Sequence, residues 1–134
     1  MNKQIIIAVD AMGGDNSPQK IIDGIELHHL NNRNLFYKIF GNKNKIVEIL
    51  KNKKINNNCY EIIHTDESIK GEDSALTAAK RGKNTSMWLA IESVKKKDSD
   101  IAISAGNTGA LFVIAKLNLQ MIENIDKPAL AGLW

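Results

Sequence analysis

Apolar positions along this chain follow two alternating periods. Ile5-Ile6-Ile7-Ala8-Val9 is a continuous, largely β-branched run, and Leu35 to Phe40, Cys59 to His64 and Asp100 to Ser104 are three more short ones. Continuous apolar runs suit strands buried on both faces of a parallel sheet, so Gln4 to Val9 is expected to be one. Between the runs the spacing becomes helical. Ile21, Ile22, Ile25 and Leu30 share one face; Lys45 to Asn52 carries Ile46, Ile49 and Leu50; Ala110 to Met121 is apolar-periodic throughout. Ser74 to Arg81 is expected to be a helix closed by Gly82, and Thr85 to Lys96 another, capped by Thr85 or Asn84 and carrying Met87, Leu89, Ala90, Ile91 and Val94. Strand and helix alternate, which predicts βαβ units with right-handed crossovers and a mostly parallel sheet.

No internal repeat or linker divides the chain, so residues 1–134 are expected to belong to one domain. Lys127 to Trp134 resembles the opening of another apolar segment with no helix after it, so the fold is expected to be incomplete at its C-terminal end. The implied consequences are an unpaired strand edge, a partly uncovered face on the Ala110 to Met121 helix, and a polypeptide that is inactive and marginally stable or self-associating.

Composition narrows the function. With 43% hydrophobic residues the 134-residue chain can bury a core. Its net charge of +3 is spread over scattered lysines, and 5% aromatics leave little to stack bases, so nucleic acid is not an expected partner. The single Cys59 reads as a core residue, and no cysteine or histidine cluster has metal-ligand spacing; both fit a reducing cytosol and no metal. The apolar run before Asp10 is too short for a signal peptide, and nothing is long enough to span a bilayer, so any membrane contact would be peripheral.

Three stretches carry candidate chemistry. Ser104-Ala105-Gly106-Asn107-Thr108-Gly109 joins a strand to a helix, where unpaired N–H groups and the helix dipole favour an anion. It also reads as a plain turn with Asn107 or Thr108 as a cap. It lacks the glycine spacing of a dinucleotide fingerprint and the Gly-Lys-Ser/Thr of a P-loop. Because the turn is expected to face solvent, a branched side chain at Gly106 should block backbone approach with little loss of stability. The second stretch, Asp10 to Asp15 with Gly13 and Gly14, can orient a ligand hydroxyl or hold the neighbouring loop; Asp15 also reads as a cap. The third, Lys83-Asn84-Thr85-Ser86, places a cation and two hydroxyls at a helix start, fit for phosphate or for ordinary capping. Loops after parallel strands converge, so Asp10 to Asp15, His64 to Asp66 and Ser104 to Gly109 are expected to line one cleft. A lone strand-end His64 reads more simply as structural, and no nucleophile elbow occurs.

Together, Asp10-Ala11-Met12-Gly13-Gly14-Asp15 with Pro18, Lys83-Asn84-Thr85-Ser86-Met87, Ser104 to Leu111, and Pro128-Ala129-Leu130 resemble the phosphate acyltransferases of bacterial phospholipid synthesis. The resemblance runs along the whole chain and covers the N-terminal part of those longer proteins. It implies an αβα sandwich like that of isocitrate and isopropylmalate dehydrogenases, and a homodimer in the full-length form. The implied reaction makes acyl phosphate from acyl-acyl-carrier protein and inorganic phosphate. The implied location is the cytoplasm, with a peripheral contact at the membrane surface; no cofactor is expected. On this reading Lys83, Asn107 and Asp10 are the expected catalytic residues. Gly13, Gly14, Asp15, Thr85, Ser86, Ser104, Ala105, Gly106, Thr108 and Gly109 are the expected phosphate- and substrate-binding positions. The alternative is a non-catalytic anion-binding remnant of such an enzyme.

Overall fold

The computed structural model describes residues 3–32 and 34–132. The elements follow in the order β1 (Ile5–Asp10), α1 (Gln19–Asn31), β2 (Leu35–Gly41), α2 (Lys43–Leu50), β3 (Tyr60–His64), α3 (Ala75–Lys80), α4 (Ser86–Lys95), β4 (Ile101–Ser104) and α5 (Thr108–Asn118). All strands are parallel, in the order β3-β2-β1-β4. β1 is central, with Val9 in register with Ile39 on one side and Ile103 on the other.

The sheet is covered on both faces, which gives three layers. From β1 the chain moves outward through α1 to β2 and through α2 to β3, then crosses back over the whole sheet to β4. Connections of one hand that run in opposite directions place their helices on opposite faces. Accordingly Ile7, Val9, Tyr37 and Ile39 pack against Ile22 and Ile25 of α1 and Ile46 and Leu50 of α2. Ala8 and Phe40 face the other way, onto Ala90 of α4. α4 packs in turn on α3 and α5 through Met87, Trp88, Ile91, Ala78, Ala110 and Ile114. Side chains start four of the helices: Asn42, Ser74, Thr85 and Asn107 each accept an N–H from the first turn of α2, α3, α4 and α5. Such a cap is worth about 1 kcal/mol.

Several sequence expectations are corrected. α1 buries Ile22, Ile25 and His29, whereas Leu30 is exposed, because thirteen residues of regular helix turn position 30 away from the sheet. α5 begins at Thr108 and stops at Asn118, where Leu119 turns extended, so Met121 lies outside it. Cys59 closes a short 3-10 turn and is only half-buried, and the third strand begins at Tyr60. Residues 119–132 form no strand or helix, and Leu133 and Trp134 lie outside the described residues. No described helix is long and apolar enough to cross a membrane.

β4 is covered on one face only. Ile101 and Ile103 share the face of Ile7 and Val9, yet each is 49% exposed, because α1 and α2 cover the other strands and leave β4 bare. An apolar groove of about 330 Å³ runs between α1 and β4, walled by Ile21, Ile25, Tyr37 and Ile103. An edge strand with exposed isoleucines is a template for association. The chain is therefore expected to elute increasingly early in size-exclusion chromatography as its concentration rises, and Ile103→Lys to restore a monomer. A wild-type chain that stays monomeric at high concentration would contradict this.

A polar tie holds α1 to the segment after α2. Lys53 pairs with Asp23 and, at 3.2 Å, with Glu26, whose carboxylate also accepts the Lys54 N–H. The hydrogen bond from Lys53 holds the Asp23 carboxyl below its ordinary value of 3.8, and the Lys54 N–H, then Lys53, hold Glu26 below 4.5. Hydrogen bonds to Asp23 and then Glu26 raise the Lys53 ammonium above 10.5. Depressed carboxyls contribute stability at pH above their unfolded values and lose it as pH falls through the folded ones; the raised lysine loses its share at the alkaline end. Lys53→Met should therefore melt below wild type near neutral pH, and the gap should close in acid as Asp23 and Glu26 protonate. A gap independent of pH would assign the loss to packing of the lysine stem instead.

Candidate functional site

The direction of the chain reverses between β1 and β4: α1 departs from β1 on one face and α5 follows β4 on the other. The carboxyl ends of the strands at such a switch point leave a crevice, the usual ligand position in open α/β sheets. A cleft of about 460 Å³ lies there, lined by Met12, Gly14 and Asp15 after β1, by Ser68 to Gly71, and by Ala105, Gly106 and Asn107 after β4.

Beneath the cleft sits Asp10, the last residue of β1 and only 2% exposed. Its Oδ1 accepts the Ser86 hydroxyl at 2.6 Å and the Met12 N–H at 3.2 Å; its Oδ2 accepts the Ser104 hydroxyl at 2.7 Å. The register makes this possible, since Asp10 and Ser104 are direct partners in the β1–β4 ladder. Ser104 Oγ in turn accepts the Gly106 N–H at 3.1 Å.

Gly13 closes over this network. A Cβ on Gly13 would stand 2.6 Å from Asp10 Oδ2, 2.9 Å from the Gly106 nitrogen and 2.9 Å from Ser104 Oγ. Gly14 has φ +87, and a Cβ there would meet the Ala105 carbonyl oxygen at 2.6 Å. The two loops thus touch backbone to backbone, and both glycines are required by that approach. Ser17 secures the first loop by donating to the Gly13 and Gly14 carbonyls.

Asn107 fastens the third wall. Its Oδ1 caps α5 by accepting the Ala110 N–H at 2.9 Å, while its Nδ2 donates to the Gly71 and Asp73 carbonyls at 2.9 and 2.8 Å. Asp73 also accepts from the Lys70 N–H and pairs with Arg81 at 2.8 Å, so residues 70–73 form a strap pinned across the start of α5. The first-turn N–H groups of Asn107, Thr108 and Gly109 have no hydrogen-bond partner among the described residues. These groups, with the dipole of the eleven residues of α5, are what an anion would meet.

The structure therefore brings together Gly14, Asp15, Ala105, Gly106 and Asn107 at the cleft, with Asp10, Gly13 and Ser104 below it. Thr108 and Gly109 lie on the exposed first turn of α5. Thr85, Ser86 and Lys83 do not line this cleft, and of the two readings of this stretch Thr85 takes that of an ordinary helix cap. Thr85 and Ser86 are each 1% exposed: Thr85 caps α4, and Ser86 gives its hydroxyl to Asp10 and its N–H to the Glu67 carbonyl. The exposed Lys83 does not line the cleft. Lys70 lines it instead. His64 to Asp66 are also displaced from the cleft. They end the outermost strand, two places from β1, where His64 accepts the Lys43 N–H and pairs with Asp66. The chain returns to the cleft only at Ser68. Following the segment from the end of β3 to the Ser74 cap would have identified Ser68 to Gly71 from sequence.

Gly106 is also more confined than a solvent-facing turn. A Cβ there would stand 3.1 Å from Met87 Cε, 3.2 Å from the Gly13 Cα and 3.2 Å from Ser104 Oγ. Gly106→Val therefore does not spare stability as the sequence implied: overpacking of this kind costs roughly 1–3 kcal/mol. Gly13→Ala should be worse than Gly106→Ala, since its contacts are shorter, 2.6 to 2.9 Å against 3.1 to 3.2 Å. Thermal melting of both variants checks the order, and equal melting temperatures would show that the two loops separate easily.

The fold and cleft define a doubly wound α/β protein with a helix-start site suited to an anion at its switch point. Residues 5–134 match the family model described as "Fatty acid synthesis protein", and the chain belongs to that family. It is 66% identical over 134 residues to a phosphate acyltransferase of Pelagibacter ubique, covering 100% of this chain and 40% of that protein. Phosphate acyltransferases of Parvibaculum lavamentivorans and Bradyrhizobium sp. BTAi1 are each 42% identical over 135 residues, with 100% of this chain covering 37% and 38% of theirs. The chain thus spans 40% or less of the length of these relatives.

Proposed function

We propose that the cleft holds inorganic phosphate for transfer of an acyl group from acyl-acyl-carrier protein, giving acyl phosphate for phospholipid synthesis. The observation that carries this reading is the strap-and-loop cleft, which leaves the first-turn N–H groups of α5 unpaired beside Lys70 in a protein whose relatives are named phosphate acyltransferases. Attack of a phosphate oxygen on a thioester carbonyl needs the nucleophile held in place and donors aimed at the developing oxyanion. The α5 N–H groups meet the first need. The second, together with the carrier-protein surface and any dimer, belongs in this reading to the full length of such an enzyme. Neither serine near Asp10 serves as a nucleophile in this reading, since neither lines the cleft; a phosphate oxygen attacks the thioester carbonyl directly and the carrier-protein thiolate leaves. A cytoplasmic protein with peripheral membrane contact is the setting this reaction implies.

The test joins this chain to the remaining length of the Pelagibacter relative and supplies acyl-acyl-carrier protein with labelled phosphate. Phosphate-dependent acyl phosphate is expected. A folded chimera that forms none would overturn the assignment. The chain alone is expected to bind phosphate without turnover, the behaviour of an anion-binding module.

A further inference from the structure

We infer that Asp10 and Ser104 are positioning residues for the phosphate site, acting through the Gly106 N–H rather than on the ligand. The inference rests on the reading above and assigns the carboxyl a task distinct from catalysis. Asp10 does not line the cleft, and the two serine hydroxyls and the Met12 N–H already occupy its oxygens. It is thus poorly placed to take a proton from a ligand.

What the carboxyl does is fix the direction of a hydroxyl. Ser104 Oγ has one proton and two lone pairs, and an acceptor at 2.7 Å fixes the proton toward Asp10 Oδ2. A lone pair is thereby presented to the Gly106 N–H at 3.1 Å. That bond holds the backbone between Ser104 and Gly106, directly ahead of the Asn107, Thr108 and Gly109 N–H groups that have no hydrogen-bond partner among the described residues. A Cβ on Gly106 would stand 3.2 Å from the Gly13 Cα, so the two loops pack closely at this point. Asp10 Oδ1 meanwhile holds the Met12 N–H of the opposite wall. One carboxyl therefore sets both walls, and the spacing between them, at the end of two adjacent strands.

Replacing the carboxyl by an amide tests this directly. In Asp10→Asn an NH2 group must face a hydroxyl or an N–H that was donating to it, so one donor in the network loses its acceptor. Ser104→Ala is the milder variant: it removes a half-buried hydroxyl and frees the Gly106 N–H. Ser99→Ala, which breaks the buried Ser93–Ser99 hydroxyl pair remote from the cleft, controls for general loss of stability. The measurement is a titration of the full chain with inorganic phosphate, followed by the backbone amide signals of Gly106, Asn107, Thr108 and Gly109, with hydrogen exchange at Gly106 measured alongside.

Wild type and Ser99→Ala should bind phosphate alike, with shifts at Asn107 to Gly109. Asp10→Asn and Ser104→Ala should bind about ten-fold more weakly, the scale of one hydrogen bond's worth of preorganisation, and should lose protection at Gly106. Folded Ser104→Ala protein with wild-type phosphate affinity would overturn the inference while leaving the phosphate site standing. No phosphate response in wild type would overturn the reading it rests on, and the inference with it.

Discussion

The contact between the ends of β1 and β4 is the constraint on which the rest of the site depends. Two parallel strands put Asp10 and Ser104 side by side, and the hydrogen bond between them converts a backbone register into a fixed pair of loops. A one-residue slip of β4 would turn Ser104 to the opposite face of the sheet, where α1 packs, and away from Asp10. Register here is specified by the apolar side chains as well. Val9 and Ile103 point to one face while Ala8 and Ala102 point to the other, beneath α4.

The small residues follow from that contact. A buried carboxyl bound by hydroxyl and backbone donors leaves little space for the loops that carry the donors, so Gly13 and Gly14 run against Ser104, Ala105 and Gly106 with no Cβ between them. The cost of a buried carboxyl is met by three donors drawn from β4, the start of α4 and the loop after β1. Ser86 makes the long crossover part of the site: the helix that spans from β3 back to β4 begins on Asp10. Asn107 repeats this economy at the other wall, capping α5 with its oxygen and pinning the strap with its nitrogen.

Much of this was legible in the sequence. The alternation of short apolar runs with helical spacing gave the order of elements, and the capping residues Asn42, Ser74, Thr85 and Asn107 are of the types that start helices. The convergence of the loops carrying Gly14 and Gly106 followed from the rule that strand ends meet at one edge. Quantities set by lateral position in the sheet were not legible. Whether β3 or β4 borders β1 cannot be read from a run of isoleucines, so His64 was placed at the cleft although its strand lies at the far edge. The exchange of Lys83 for Lys70 has another cause: local sequence shows a lysine beside a helix start but not whether that start is buried, as Thr85 and Ser86 are.

The two faces of β4 divide the chemistry of the chain. On the α4 side, Ala102 and Ser104 are half-buried and polar donors converge at the strand end. On the α1 side, Ile101 and Ile103 present apolar surface beside a groove walled mainly by isoleucine side chains. An anion gains at the first face, where N–H groups are already oriented, and gains nothing at the second. Apolar surface that water must solvate behaves in the opposite way and gains by being covered. The polar site and the bare isoleucines thus lie on opposite faces of one ladder, in which Val9 pairs with Ile103 and Asp10 with Ser104.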